Sequence, residues 1–358
     1  MNYTESDAYQ REIAEQYTQR TLQLAPVDVH QILQMLGIEV SVDELSLAQF
    51  GNMNATYSAG PYVVKISNDD LAVKYSANKV VSEQLPHEKV VRVVLHDVRE
   101  RTDYEVLVME RAPGDVWLTQ MPLMSEAQNV QLFKHVVQVA RAAQNISVTN
   151  SFGWVTDILH DPPAHGFATY QAQLAARLDA YLPKIVAQED LDQTAVEHTM
   201  RYVRENLDLF ADEQPRFVHT DLHMGNVLQS AGELTAVIDW DSVQSAPAYR
   251  GLIPLVGLID NPAQFVEGTP DYELYKGKKF EYLYPILKEA FATELADPYL
   301  ARKMNVCGII EGLMWVSEDW SREWNKEMIT NLATQEVPDD GDVSHTYWGR
   351  ILTTLHNA

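Results

Sequence analysis

Residues 217–243 read FVHTDLHMGNVLQSAGELTAVIDWDSV, and the fold turns on how this stretch is read. Two apolar runs, 226–229 and 235–238, flank the polar step 230–234 with its glycine at 232, which is the pattern of a β-hairpin. Antiparallel pairing that sets Leu228 opposite Val237 also sets Asn226 opposite Asp239, with Cβ atoms about 5 Å apart. One amide oxygen and one carboxylate then meet at the open end of the hairpin. Hard oxygen ligands of this kind suit Mg²⁺, which takes one or two protein side chains and completes its octahedron with phosphate oxygens and water. Asp221 precedes Asn226 on the loop feeding the first strand, where a general base would stand. Alone, an aspartate in a loop is more often a turn or cap residue. The combination of His-x-Asp-x4-Asn, a hairpin and then Asp239 is what singles it out.

Working outward toward the N-terminus, short β-type runs at 46–50, 55–59 and 62–66 are separated by turn residues that include Gly51, Asn54, Gly60 and Pro61, which predicts an antiparallel meander. Ser67 with Asp70 caps a helix running to Leu85, stopped by Pro86. Runs 90–95 and 106–109 supply two more strands, and Ala112-Pro113-Gly114 ends the pattern at a lobe boundary near 110–115. Residues 1–45 read as a helical, acidic extension, with Ile32, Leu33, Leu36 and Ile38 as its apolar stripe after Pro26. Beyond the boundary the chain is largely helical. Tyr170, Leu174, Leu178 and Leu182, and then Val196, Met200, Val203, Leu207 and Phe210, recur at helical spacing as core-facing stripes. The expected organisation is an extension over 1–45, a small β-rich lobe over 46–111 and a larger helical lobe over 112–358.

With 358 residues and 46% hydrophobic content, two packed lobes are expected and a disordered chain is excluded. Lys and Arg number 27 against 51 Asp and Glu, a net charge of −24 that repels phosphate backbones and anionic lipid, so neither nucleic acid nor membrane is an expected partner. The acidic start lacks the apolar segment of a secretory signal. Cys307 is the single cysteine, which rules out an intrachain disulfide and a cysteine-built metal site and fits a reducing cytoplasm.

His219-Thr220-Asp221-Leu222-His223-Met224-Gly225-Asn226, followed by Asp239 in Val-Ile-Asp-Trp, resembles the catalytic loop and metal motif of the aminoglycoside phosphotransferase and choline-kinase-like family. That family shares the protein-kinase architecture, so the resemblance implies an α+β bilobal fold with a small antiparallel-sheet N-lobe and a larger, mostly helical C-lobe. It implies that Asp221 accepts the proton of an acceptor hydroxyl while Asn226 and Asp239 hold the Mg²⁺ that bridges the phosphates of ATP, with GTP as the alternative donor. His219 would be structural, and His223 stands where protein kinases keep a lysine, as a phosphate contact or as a packed histidine. Lys65 in Tyr62-Val63-Val64-Lys65-Ile66 resembles the phosphate-binding lysine. Gly51 and Asn54 resemble the turn of the nucleotide-covering hairpin, and Glu110 to Ala112 the hinge whose backbone faces the adenine. The resemblance spans about 46–255.

Two positions depart from the family pattern. Members usually carry an acid in the helix after the lysine strand, paired with that lysine. Here Asn78 falls at that place, so that Lys65 is held by a neutral amide unless the register differs. Members also often carry an Asp-Leu pair after the metal motif, where this chain has Arg250. For the acceptor, Glu311, Trp315 and Asp319 at i, i+4, i+8 offer an acidic and aromatic helix face suited to a cationic or sugar-like small molecule. An ordinary solvated face explains the same pattern. An aminoglycoside is the leading acceptor, with sugars, amino alcohols and other hydroxylated metabolites as alternatives. A non-catalytic nucleotide-binding protein on a kinase-like scaffold, or a hydrolase whose metal is held by His219, Asp221 and His223, are the alternatives of other classes.

Overall fold

Burial alternates along the first strands, as a sheet with one covered face requires. Ala55, Tyr57 and Ala59 are buried on β2 (Ala55–Ala59), and Val64 and Ile66 on β3 (Tyr62–Ser67). The computed structural model describes residues 6–20, 22, 24–47, 55–68, 72–85, 89–147, 150–160, 166–318, 321–338 and 341–358. With β1 (Leu45–Leu47), β4 (Val93–Val98) and β5 (Glu105–Glu110), these strands form a five-stranded antiparallel sheet in the order β1-β2-β3-β5-β4. Its covered face packs on Val29, Ile32, Leu33 and Leu36 of helix α2 (Pro26–Met35) and the turn after it, so the expected extension is continuous with this core. Helix α1 (Asp7–Arg20) precedes it. On the other face Lys65 neighbours Leu107 of β5, and helix α3 (Ala72–Gln84) packs alongside.

One strand boundary is corrected. The fourth strand begins at Val93 and not at residue 90; Val90 forms a bridge to Val237 of the second lobe. The second lobe is mostly helical, as expected, and carries two small sheets. β6 (Asp115–Val116) pairs with β9 (Val227–Ser230), which pairs with β10 (Glu233–Val237), and a second small sheet runs β7-β11-β8 from Gly153–Trp154, Val243–Ala246 and Arg216–His219. Around these lie helices α4 (Glu126–Ala143), α5 (Tyr170–Val186), α6 (Gln193–Glu205), α7 (Leu252–Asp260), α8 (Tyr284–Ala290), α9 (Leu300–Ser317), α10 (Arg322–Asn331) and α11 (Tyr347–Asn357). The predicted stripes are buried along α5, α6 and the short turn Leu207–Phe210 that follows α6, apart from the half-buried Leu182 and Leu207. Among the described residues, no helix is long and apolar enough to cross a membrane.

The deciding hairpin forms, one residue out of the expected register. Val227 faces Val237 and Leu228 faces Ala236, because the turn is only Ala231-Gly232 and a bulge falls between Leu234 and Ala236. Both turn residues have positive φ, 54° and 85°, as a tight two-residue hairpin turn demands. Asn226 and Asp239 are still brought close, because Ile238 N–H donates to the Asn226 carbonyl at 2.9 Å.

Candidate active site

The loop between β8 and β9 is fixed from behind. The His219 ring lies 4.8 Å from the Trp240 ring, its Nε2 donates to the Ile238 carbonyl at 3.2 Å, and its Nδ1 accepts the Asp221 N–H at 3.3 Å. This buried imidazole, its pKa lowered by burial, ties the catalytic loop to the turn carrying Asp239. The Asn226 side-chain NH₂ donates to the Asp221 carbonyl at 2.8 Å and to its carboxylate at 3.3 Å, which leaves the amide oxygen as the atom a cation would meet. Asp221 keeps an open carboxylate face, yet the packing behind it pushes its pKa up to about 6; the nearby Asp239 adds to this, and His219 and Asn226 oppose it.

His223 folds back over the loop. Its ring stacks on Phe265 with centroids 4.5 Å apart and an interplanar angle of 7°. Gly225 N–H donates to Nδ1 at 3.0 Å, and a Cβ at residue 225 would lie 2.6 Å from the ring, so any side chain there would displace the imidazole. The Asn226 NH₂ approaches Nε2 at 3.3 Å, but a neutral imidazole accepts at one nitrogen only. The shorter bond to Gly225 places the proton on Nε2, 3.7 Å from Asp221 Oδ1. Burial lowers the His223 pKa to about 4, so near neutral pH it enters the site as an uncharged donor and not as a lysine-like cation.

Asp239 has φ 61° and ψ 52°, left-handed backbone in a non-glycine residue, a conformation that costs about 1–3 kcal/mol and clusters at functional sites. Lys65 Nζ reaches across from β3 to Asp239 Oδ1 at 2.6 Å and Asp241 Oδ2 at 2.9 Å. Burial disfavours the ammonium, but the two carboxylates outweigh it and hold the Lys65 pKa above its ordinary value. Burial likewise opposes ionisation of Asp239, and Lys65 overcomes it and keeps that carboxyl below the usual range. The expectation that a neutral amide holds Lys65 is thus corrected: Asn78 Nδ2 instead donates to Asp241 Oδ1 at 2.7 Å, and the acid comes from the second lobe. The sequence reading did not include Asp241 among the residues around Lys65. The available signal was a second acid two positions after Asp239 in a chain whose strand lysine lacked a partner.

The hinge lies against the hairpin. Gly114 has φ +99°, and a Cβ there would sit 2.1 Å from the Gln229 carbonyl. Thr235 Oγ1 donates to the Pro113 carbonyl at 2.7 Å. The N–H groups of Glu110 and Arg111 are committed to the carbonyls of Arg92 and Pro61, at 2.9 and 2.8 Å. What this span can offer a ligand is therefore narrowed to its carbonyls and to the N–H of Ala112. Gly51 and Asn54 lie outside the described residues.

The acceptor face is corrected in part. Glu311 is not displayed to solvent for a cation. It pairs with Arg250 and with Arg177 at 3.3 Å, and although burial resists ionisation the two guanidiniums bring its pKa down to about 2. Arg250 is buried within the second lobe through this pair. Trp315 is 44% exposed on α9, and Asp319 lies outside the described residues.

An antiparallel lobe, a helical lobe and a loop-borne aspartate facing an asparagine and a lysine-bound aspartate define a phosphotransferase of protein-kinase-like architecture. A profile of the APH phosphotransferase enzyme family matches residues 50–271, more than half of the chain, and the chain belongs to that family. No curated protein matches it. Among solved structures, ADP-bound aminoglycoside phosphotransferase APH(2'')-Ib is 16% identical with a TM-score of 0.56, the alignment covering 86% of this chain and 96% of that one. APH(2'')-IIa in complex with gentamicin is 16% identical at 0.57, covering 87% and 97%. A thermostable mutant of APH(4)-Ia, in ternary complex with AMP-PNP and hygromycin B, is 15% identical at 0.59, covering 86% and 98%. At these identities the likeness is one of fold.

Proposed function

We propose that this phosphotransferase moves the γ-phosphate of Mg-ATP, or of Mg-GTP, to a hydroxyl group of a small molecule. The observation that carries the reading is the convergence of Lys65 from the first lobe on Asp239 of the second, beside Asp221 and Asn226. The donor set of Asn226 and Asp239 is all oxygen, one neutral and one anionic, and Asp239 is the more open of the two carboxylates on Lys65, which fits Mg²⁺. Such a cation would supply charge neutralisation at the donor phosphates. Lys65 would clamp those phosphates, Asp221 would orient the acceptor hydroxyl and take its proton, and the neutral His223 would offer its Nε2–H beside that carboxylate. The raised pKa of Asp221 suits a base whose task is to take a proton near neutral pH.

For the acceptor we favour a polycationic aminoglycoside. The net charge of −24 would concentrate such a molecule, and structures of the same fold hold gentamicin and hygromycin B. With Glu311 committed to arginines, the reading rests on that charge and on Trp315. Hydroxylated amines, sugars and antibiotics should be screened for acceptor-stimulated nucleotide turnover. In that assay Asp221→Ala should lower kcat by about 10²- to 10⁴-fold with nucleotide still bound; unchanged turnover would remove Asp221 from its role.

A further inference from the structure

We infer that Asp241, pinned by Asn78, is the carboxylate that positions Lys65 on the donor phosphates, so that the lysine's acid partner comes from the turn after β10 and not from helix α3. The inference rests on the phosphotransfer reading above and adds to it a residue which that reading does not use.

Lys65 touches two carboxylates of different character. Asp239 is 39% exposed, and Asp241 only 12%. The open one is the proposed cation ligand, and a carboxylate that shares its charge with a dication no longer compensates an ammonium fully. Once the cation is held, the inward-facing Asp241 is the acid left to keep Lys65, itself only 12% exposed, from being an isolated buried charge. Its orientation is fixed at both oxygens: Oδ2 accepts from Lys65 at 2.9 Å and Oδ1 from Asn78 at 2.7 Å. Asn78 is itself buried, 5% exposed, on the helix lining that side of the sheet. An amide is the right group at residue 78, since a glutamate would set a second anion against Asp241, and an apolar side chain would leave Oδ1 without this donor. The acid of the family pattern is therefore moved across the cleft, with a neutral donor in its former place. Because Asp241 belongs to one lobe and Lys65 and Asn78 to the other, the same contacts also tie lysine placement to lobe closure.

The test is calorimetric titration of the full chain with Mg-ATP, without acceptor, beside thermal melts of the nucleotide-free protein. Asp241→Asn should weaken Mg-ATP binding about tenfold, as loss of one charge-assisted partner implies. Moving the acid in the double variant Asp241→Asn/Asn78→Glu should restore affinity to within about threefold of wild type, which repair of packing alone would not do. Asn78→Ala keeps every charge and should weaken binding by about threefold; it decides the matter if Asp241→Asn melts early, and no change in it overturns the inference. An unaltered Asp241→Asn variant beside a wild type that binds Mg-ATP overturns this inference alone, as does additive loss in the double variant. Full recovery of Asp241→Asn on raising free Mg²⁺ about twentyfold would make Asp241 a cation ligand and also overturn it. A wild-type chain that binds no Mg-ATP overturns the phosphotransfer reading itself.

Discussion

Glu311 shows what a residue's neighbours do to its meaning. Read along the chain it is an acid on a helix face; in space it lies between Arg177 and Arg250, its pKa drawn down to about 2 from an ordinary 4.5. A carboxyl with a depressed folded pKa contributes stability that is in place above about 4.5 and is lost as pH falls toward 2. Glu311→Gln should therefore cost about 3–5 kcal/mol of stability at pH 7, by leaving two buried guanidiniums uncompensated, with the loss shrinking on acidification. Denaturant melts at pH 7 and 4 would check this, and a stable variant with a raised acceptor KM would instead return Glu311 to substrate binding. The catalytic loop offers a gentler change. Gly225→Ala would push the His223 ring off Phe265 and should lower kcat about 10-fold or more with little change in melting temperature, since a displacement near 1 Å is costly at a reacting centre. The meeting of Asp221, Asn226 and Asp239 was legible in the sequence because they lie within one continuous hairpin and its feeding loop. The partners of Lys65 and Glu311 were not, since ion pairs between distant segments leave no local period.

At the scale of elements, the hairpin was legible as a hairpin and misread by one residue of register. Alternation of apolar positions predicts pairing but is blind to a bulge, and the bulge between Leu234 and Ala236 together with a two-residue turn shifts the partners. Ala231 meets the turn's demand poorly. Its φ of 54° is a conformation that asparagine or glycine adopts more readily. Ala231→Asn should raise stability by about 0.5–1 kcal/mol without altering turnover, and a thermal melt that falls instead would contradict the turn geometry. The hinge should behave in the opposite sense. Any side chain at residue 114 meets the Gln229 carbonyl, so Gly114→Ala should destabilise the protein and separate hinge from hairpin. The small sheet of β7, β11 and β8 was not predicted because two- to four-residue strands are too short to show a period.

At the scale of the whole molecule, the N-terminal segment joins the lobes. Its α2 is part of the first lobe's core, while α1 lies on the second, where Tyr9 Oη donates to Glu267 at 2.9 Å, Gln10 accepts the Gly268 N–H at 2.7 Å and Ser321 donates to Glu12 at 2.9 Å. The segment beneath α1 also carries Phe265, on which His223 of the catalytic loop stacks, so α1 braces the floor of the site. Burial lifts the Glu267 pKa to about 7 from an ordinary 4.5, with the Tyr9 bond acting against it. A carboxyl raised in the folded state favours folding in its protonated form, so this contribution is complete below about 4.5 and is lost as pH rises through about 7. Hydrogen-exchange protection of the α1 amides, corrected for the intrinsic rate, should accordingly fall between pH 5 and pH 8. Glu267→Gln is neutral at every pH and should hold that protection constant, with a melting temperature above that of wild type at pH 8 and close to it at pH 5. Gly268→Ala, whose Cβ would lie 2.9 Å from the Ala14 nitrogen at a φ of +73°, should loosen α1 at both pH values. Protection that falls equally in wild type and Glu267→Gln would mean that α1 is held by its apolar side, Tyr9 and Ile13, and that Glu267 plays no part in seating it.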